Sequence, residues 1–429
     1  MSSNPEQDFV LKTIKGRDVH FVRFWFTDVL GNMKSFAVIP SELENAFEDG
    51  MGFDGSCVEG FCRTRESDML AFPDASTFQV LPWRPESNAV GRMFCDIRTP
   101  DGKPFEGDPR QVLAREVQRA LDMGYVLNVG PELEFFYFKD QHSTEVLDHG
   151  GYFDLTSLDY ASDLRRDTVL TLEKMGIPVE YSHHENGPSQ HEIDLRFTDA
   201  LSMADAVMTY KLVVKEIAMK HGVYASFMPK PLPGKSGSGL HVHMAPSLLS
   251  GDALLEQTLH AFLAGILRRV GDMTLFLNTA TNSYQRFGSF EAPRYVTWSS
   301  GNRAQLIRVP ETGAPRLELR SPDPLCNPYL AFTLLLQAGL EGLRNGSVPP
   351  VPTDIDLQSA PAGTLAGLER LPDSLGAAIE KAQDSIFVRQ SLPAPVIGKI
   401  LEVKRNEWER YNRAEDKNEF EHACYFERV

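Results

Sequence analysis

The sequence predicts an α+β protein, and three observations carry that expectation. The first hundred residues hold short β-branched and aromatic runs separated by turn formers. Beyond residue 108, long stretches place apolar residues at helical spacing. Strand-like segments continue among those helices, but the alternation is irregular.

Residues 19–26 (VHFVRFWF) and 34–39 are β-rich, and 28–32 (DVLGN) between them holds turn residues, so the pair predicts a hairpin. Residues 78–81 and 90–97 predict two more strands, and 100–107 (PDGKPFEG) is rich enough in turn formers to mark a boundary. Asp108 followed by Pro109 predicts an N-cap with proline at the first helical position; Val112, Leu113, Val117, Ala120 and Leu121 follow at helical spacing. Val207, Tyr210, Val213, Val214 and Ile217 predict a helix ending at Gly222. Leu255, Leu259, Phe262, Leu263, Ile266, Leu267 and Val270 predict another, with Gly271 as its C-cap. Residues 327–343 are apolar on most faces and predict a buried helix; 346–367, rich in Pro, Ala and Ser, predict a surface loop. There is no internal repeat and no low-complexity tract.

At 429 residues, 42% hydrophobic and 24% charged, the chain is long enough for two or three domains and a large core. Its 43 basic and 59 acidic residues give a net charge of −16, which repels phosphate backbones and anionic lipid; no nucleic acid or membrane surface is expected as a partner. The five cysteines (Cys57, Cys62, Cys95, Cys326, Cys424) show no C-x-x-C spacing, so neither a disulfide framework nor a cysteine zinc site is signalled. The first 30 residues lack the basic start and apolar centre of a signal peptide, and no uncharged apolar run approaches the ~20 residues that span a bilayer. A reducing cytoplasm is the expected address.

Four strand-like segments carry ionisable residues at every second position, which puts them on one face. In 130–138 (GPELEFFYF) these are Glu132 and Glu134, with Leu133 and Phe135 opposite; in 190–197 (QHEIDLRF), Gln190, Glu192, Asp194 and Arg196; in 239–244 (GLHVHM), His241 and His243; in 316–320 (RLELR), Arg316, Glu318 and Arg320. Each alone also reads as a solvated face. If the faces converge, Glu132, Glu134, Glu185, Glu192 and Glu318 surround one cavity with His241. Carboxylates so gathered repel strongly unless divalent cations offset them, and oxygen ligands with one imidazole suit Mg²⁺ or Mn²⁺ better than Zn²⁺. The arginines imply an anionic substrate or phosphate. Metal-holding carboxylates facing arginines suggest phosphoryl transfer. No G-x-x-x-x-G-K-[ST] loop exists, and 234–239 (GKSGSG) alone is weak evidence for a phosphate.

These segments, with 52–60 (GFDGSCVEG), 183–192 (HHENGPSQHE), 230–244, 282–308 and 316–330 (RLELRSPDPLCNPYL), resemble glutamine synthetase of the bacterial type I class. The resemblance runs from about residue 8 to the last helix, and residues 24–40 resemble that family's N-terminal β-grasp hairpin. It implies a β-grasp domain over 1–104 and, over 105–429, a catalytic domain built on a mostly antiparallel, barrel-like sheet flanked by helices. It implies two stacked hexameric rings, a dodecamer with active sites between subunits. ATP, glutamate and ammonium are the implied substrates, with two or more Mg²⁺ or Mn²⁺ per site. By motif, Glu134, Glu185 and Glu192 match the ligands of one metal, and Glu132, His241 and Glu318 those of a second beside the nucleotide phosphates. Arg286, Arg320 and the Gly237 backbone match the glutamate site, and Arg303 and Arg308 the phosphate-facing pair. Glu291 matches the flap acid. Asp54 of an adjacent subunit, with Tyr152 beside it, matches the ammonium site. His243, Arg316, Phe197 and Glu180 fall where the family contacts ATP. His183 and His184 are read as support for the strand leading to Glu185.

The sequence also departs from that pattern. Cys57 stands for the second serine of D-G-S-S, Ser189 for a glycine in the G-P-G-Q turn, Ser236 for the asparagine before G-S-G, and Ala245 for the serine after H-x-H-M. The flap stretch from Arg286 to Glu291 is one residue short, and no tyrosine occurs in VPTDIDLQ, so regulation by adenylylation is not expected. Two alternatives stay open beside ammonia ligation: a γ-glutamyl ligase of this fold using a polyamine, ethanolamine or similar amine, and an inactive structural member.

Overall fold

The computed structural model describes residues 4–60, 68–252, 254–357 and 359–426. Cys62 and the side chain of Cys57 lie outside this description. The chain opens with α1 (Pro5–Gly16), where Asn4 accepts from the Glu6 amide and proline takes the first helical position. There follow β1 (Val19–Thr27), β2 (Met33–Val38), α2 (Leu43–Asp49), β3 (Met51–Asp54), β4 (Asp68–Pro73), β5 (Gln79–Val80) and β6 (Ala89–Arg98). They form one sheet in the order β2-β1-β6-β4-β3, with β5 on β6 and a parallel β1–β6 pair. The expected hairpin is present. Its turn is held by the Asp28 carboxylate, which accepts from the Leu30 and Asn32 amides. The expected strand over 78–81 shrinks to two residues, because Asp74 caps a 3₁₀ turn that occupies the chain to Thr77. Alternation along β1 sorts its aromatics: Val22, Phe24 and Phe26 enter a core with Val10 and Ile14 of α1, while Trp25 joins Phe94 in the main core.

The second part begins with α3 (Pro109–Asp122), where Asp108 accepts from the Arg110 amide as its spacing predicts. After it come β7 (Tyr125–Phe138), α4 (Ser162–Lys174), β8 (Val179–His184), β9 (Gln190–Leu195), β10 (Thr198–Asp199), α5 (Ala200–Lys220), β11 (Tyr224–Ser226), β12 (Leu240–Leu248), α6 (Glu256–Leu277), β13 (Trp298–Ser299), β14 (Ile307–Arg308), β15 (Leu317–Leu319) and α7 (Pro328–Asn345). The sheet order is β13-β14-β15-β12-β7-β9-β8, with β10 and β11 on β7; every pairing but β13–β14 is antiparallel, and the sheet curls into a half-barrel. Leu133 and Phe135 face the main core, where the Tyr210 hydroxyl of α5 donates to the Leu133 carbonyl.

Gly271 does not end its helix. α6 continues to Leu277, and a Cβ on Gly271 would sit 3.1 Å from the Lys381 side chain, so this glycine admits a neighbour. The α6–α7 crossing depends on glycine in the same way: a Cβ on Gly265 would lie 2.0 Å from the Ala338 carbonyl oxygen. α7 is buried along most of its length, with Asn327 as its N-cap. The expected loop after it holds one short helix, Ala362–Leu365. No helix among the described residues is long and apolar enough to cross a membrane.

Candidate active site

Register brings the four charged strand faces together. Glu132 on β7 lies opposite His241 on β12 and opposite Asp194 on β9; Glu134 lies opposite Glu192; His243 lies opposite Glu318 on β15. Strands β15, β12, β7 and β9 are therefore neighbours in that order, and side chains of their charged faces, the fully buried Glu318 excepted, line a single cavity of about 1090 Å³. Glu185 enters from the turn between β8 and β9.

Inside, His241 Nδ1 is 2.9 Å from one Glu132 oxygen and His243 Nε2 is 2.7 Å from the other. Burial works against the Glu132 charge, but these two hydrogen bonds outweigh it and hold the carboxyl well below its usual range. The Glu134 carboxylate accepts from the Gly239 amide at 2.8 Å and the Gln190 side chain at 3.0 Å. Glu192 sits 3.1 Å from His183 Nε2, and Glu185 3.7 Å from His183 Nδ1. Glu185 is raised to about 8, by burial first and then by Glu134. Glu192 is raised well above its usual range, by burial and then by Asp194. Glu318, fully buried, is held at about 2: Arg320 and His243 overcome the desolvation of its charge.

Among the described residues four ligand groupings fall within reach of a single ion, three of them built on the acids of these strand faces and the turn between β8 and β9: Glu132 with His243 and Glu318, Glu132 with Glu192 and His241, and Glu185 with His183 and Glu192. Raised carboxylates in a buried group are the electrostatic mark of acids that a cation would relieve, and oxygen-rich sets with imidazole fit a hard divalent ion. The residues present fit such ions.

Cationic groups line the same cavity beside the acids. Arg308 and Arg320 both hydrogen-bond Glu318, and Glu291 of the flap stretch reaches to 3.8 Å from Arg320. Arg286 donates to the Ser321 and Pro322 carbonyls, each at 3.1 Å; its Nε and that of Arg320 have no partner among the described residues. Phe290 and Glu291 both take left-handed backbone (φ 48° and 63°), so the short flap turns sharply on two non-glycine residues. Arg303, Arg316, Gly237 and Tyr152 line the same cavity, as do Glu180 and Phe197, whose ring packs on Gly130. Asp54 does not line it: it ends β3 in the first sheet, where its carboxylate accepts from the Ser56 amide.

Arg196 leaves the face on which alternation puts it. β9 ends at Leu195, and the Arg196 guanidinium turns to the Val179 carbonyl. Asp194 stands at an alternate strand position to which the sequence assigns no role; it is buried in the cavity wall and raised to about 8, by desolvation and then Glu132. Ser236 donates to the Gln190 side-chain oxygen at 2.5 Å, and Gln190 donates to Glu134 and to the Gly237 carbonyl, so the serine at the usual asparagine position supports an acid of the site. Asn282 joins the Lys230 backbone to the buried Glu421 carboxylate, which also accepts from Thr281 and Gln285. Nothing local in the sequence links residue 421 to this turn.

A half-barrel sheet that gathers acids and imidazoles beside guanidinium groups around one cavity defines a class of proteins that hold divalent cations against an anion. The family model described as the glutamine synthetase catalytic domain matches residues 106–423, and that of the glutamine synthetase β-grasp domain matches 18–100. Glutamine synthetase of Methanosarcina mazei is 47% identical over 425 residues, covering 94% of each chain; that of Mycolicibacterium smegmatis is 46% identical over 430, covering 95% of this chain and 96% of its own. Solved structures of GmaS superpose at 29% identity: the ADP complex has a TM-score of 0.88 and the ligand-free form 0.87, each covering 95% of this chain and 97% of its own. The chain belongs to the glutamine synthetase family.

Proposed function

We propose that the chain is an ATP-dependent ligase that joins ammonia to the γ-carboxylate of L-glutamate through γ-glutamyl phosphate, releasing glutamine, ADP and phosphate. The observation that carries this reading is the register of β15, β12, β7 and β9, which sets acids, imidazoles and arginines around one cavity. A carboxylate is a poor acyl donor; phosphorylation by ATP makes it a good one. In this reading Arg286, Arg320 and the Gly237 backbone hold glutamate, and Arg303 and Arg308 face the transferred phosphoryl group, stabilising its charge. Glu180, Phe197, His243 and Arg316 hold the nucleotide. Mg²⁺ or Mn²⁺ ions, on Glu134, Glu185 and Glu192 and on Glu132, His241 and Glu318, would supply charge neutralisation on the phosphates. Free amine must attack, so Asp54 from a neighbouring subunit, beside Tyr152, takes the role of binding ammonium and drawing off its proton. Glu291 closes the flap and excludes water that would hydrolyse the intermediate. The same reading divides the chain into a β-grasp domain (1–104) and a catalytic domain (105–429), and assembles it as a cytoplasmic dodecamer. The position of Asp54 away from its own chain's cavity supports shared sites.

A larger amine is the second reading, favoured by the exposed aromatic rings of Tyr152, Phe153 and Tyr181 beside the Glu185 end. Phosphate release from ATP with glutamate and Mg²⁺ or Mn²⁺, measured across ammonium, methylamine, ethanolamine and putrescine, separates the two. Release with ammonium supports the proposal. Release only with a larger amine replaces it with the second reading, and no release with any amine overturns both.

A further inference from the structure

We infer that Ser189, Asp148 and His184 form a clasp that positions the amine end of the cavity, tying the segment that bears Tyr152 to the turn that bears Glu185. The amine assignment rests on the function proposed above; the clasp itself does not. Ser189 is fully buried and has left-handed backbone (φ 56°), where a side chain is disfavoured and glycine would sit without strain. Its hydroxyl is used in return. The Ser189 Oγ accepts from the Leu147 amide at 2.7 Å and the Asp148 amide at 3.0 Å, while the Ser189 amide donates to Asp148 Oδ1 at 2.9 Å.

Asp148 gathers the rest of the segment. Its carboxylate accepts from the Gly150 amide at 3.3 Å, the Tyr160 amide at 3.2 Å and His184 Nε2 at 2.9 Å. His184 in turn donates from Nδ1 to the Glu185 carbonyl at 2.7 Å, and its own carbonyl accepts from the Phe153 amide at 3.1 Å. Gly150 is required here, because a Cβ would lie 2.2 Å from the Leu158 carbonyl oxygen and 2.8 Å from His184 Nε2. Tyr152 and Phe153, carried between these anchors, stack on each other and pack against the His183 ring, which contacts Glu192.

Asp148, His184 and His191 also lie close enough together to hold a metal ion, but the protons are already placed. Both His184 nitrogens face atoms that can only accept, so both carry hydrogen. Arg165 donates to His191 Nδ1, so His191 Nε2 carries hydrogen as well. Asp148 and His184 are committed to each other, and His191 Nε2 has no hydrogen-bond partner among the described residues. The group is a hydrogen-bonded clasp.

Hydrogen exchange of the full chain, with steady-state kinetics beside it, tests this on Ser189→Ala and Ser189→Gly. Both remove the hydroxyl, and the glycine variant also relieves the backbone strain. The expected result in both is exchange roughly tenfold faster at the Leu147, Asp148, Gly150 and Phe153 amides, with β7 and α5 unchanged. The KM for the amine rises about tenfold, while kcat and the KM for ATP stay within about twofold. Unchanged exchange in this segment overturns the clasp. So does a rise in both KM values that follows a lowered melting temperature in Ser189→Ala and is absent in Ser189→Gly, since strain and not the hydroxyl would then be responsible. Faster exchange in a protein that turns over no amine supports the clasp and overturns the ligase reading alone.

Discussion

Glu318 has no solvent exposure, yet its carboxylate is shared by Arg308 and Arg320 and faces His243 across a strand pair. Replacing it by alanine removes the acid that Arg308 and Arg320 share and that, on the proposed function, a cation also uses. Glu318→Ala is expected to weaken ATP binding roughly tenfold with Mn²⁺ or Mg²⁺ present, and to leave it unchanged or tighter with the cation chelated. Calorimetric titration under both conditions checks this; equal loss in both would contradict a cation role. A second residue, Glu116 on α3, is buried away from the cavity and raised to about 7, by desolvation that Arg119 only partly offsets. Because its folded value lies above the unfolded one, folding takes up a proton between pH 4.5 and about 7, and its contribution to stability is lost as pH rises through that window. Glu116→Gln is therefore expected to flatten this slope. Above pH 7 it should be more stable than the parent by about 1–3 kcal/mol, a tenfold change in proton affinity being worth about 1.4 kcal/mol. Denaturant melts at pH 5 and pH 8 read it.

Among elements, one side chain bridges the two sheets at several points. Arg110 of α3 bonds Asp96 of β6 at 2.7 Å, Asp74 at 2.8 Å and Asp205 of α5 at 3.0 Å, and the Tyr329 hydroxyl of α7 reaches the same Asp205. Arg110→Ala strands these carboxylates and should destabilise the chain by about 3–5 kcal/mol. Arg110→Lys should cost less than alanine but still destabilise, since a single ammonium cannot reach all three acids. Equilibrium unfolding of both variants tests it. The cap of α3 was legible because an Asx side chain before proline is a local signal. The end of α6 was not: Gly271 looks like a stop, and only the approach of Lys381 from a distant helix gives it another reason to be glycine. Arg196 failed for a related cause, since alternation predicts a face only while the strand lasts.

For the whole molecule, the buried acids imply that cations and stability are coupled. Divalent ions that bind the folded chain alone should raise its melting temperature with concentration, adding about 2.7 kcal/mol of stability when the ion is a hundredfold above its Kd. A thermal melt series in Mn²⁺ against a chelated control checks this, and a midpoint independent of Mn²⁺ would sink the cation reading. Asp54 belongs to this scale too, because it lies outside its own chain's cavity. Asp54→Ala is expected to lose most ammonia-dependent turnover while ATP affinity stays within about twofold. Equal loss of nucleotide binding would contradict its assignment to the amine.

The sequence by itself determined which side chains share a face, where the helix after Asp108 begins, and that the carboxylates and arginines of four segments needed opposite charges nearby. Those are local properties, set by the two-residue period of a strand and by hydrogen bonds between residues a few positions apart. Only the tertiary structure decided which strand lies beside which, that Glu132 stands between two histidines, and that Ser189 and Ser236 support the acids next to them. Register between segments a hundred residues apart depends on how helices and loops return the chain across the sheet, and that path leaves no mark in the spacing of any one segment.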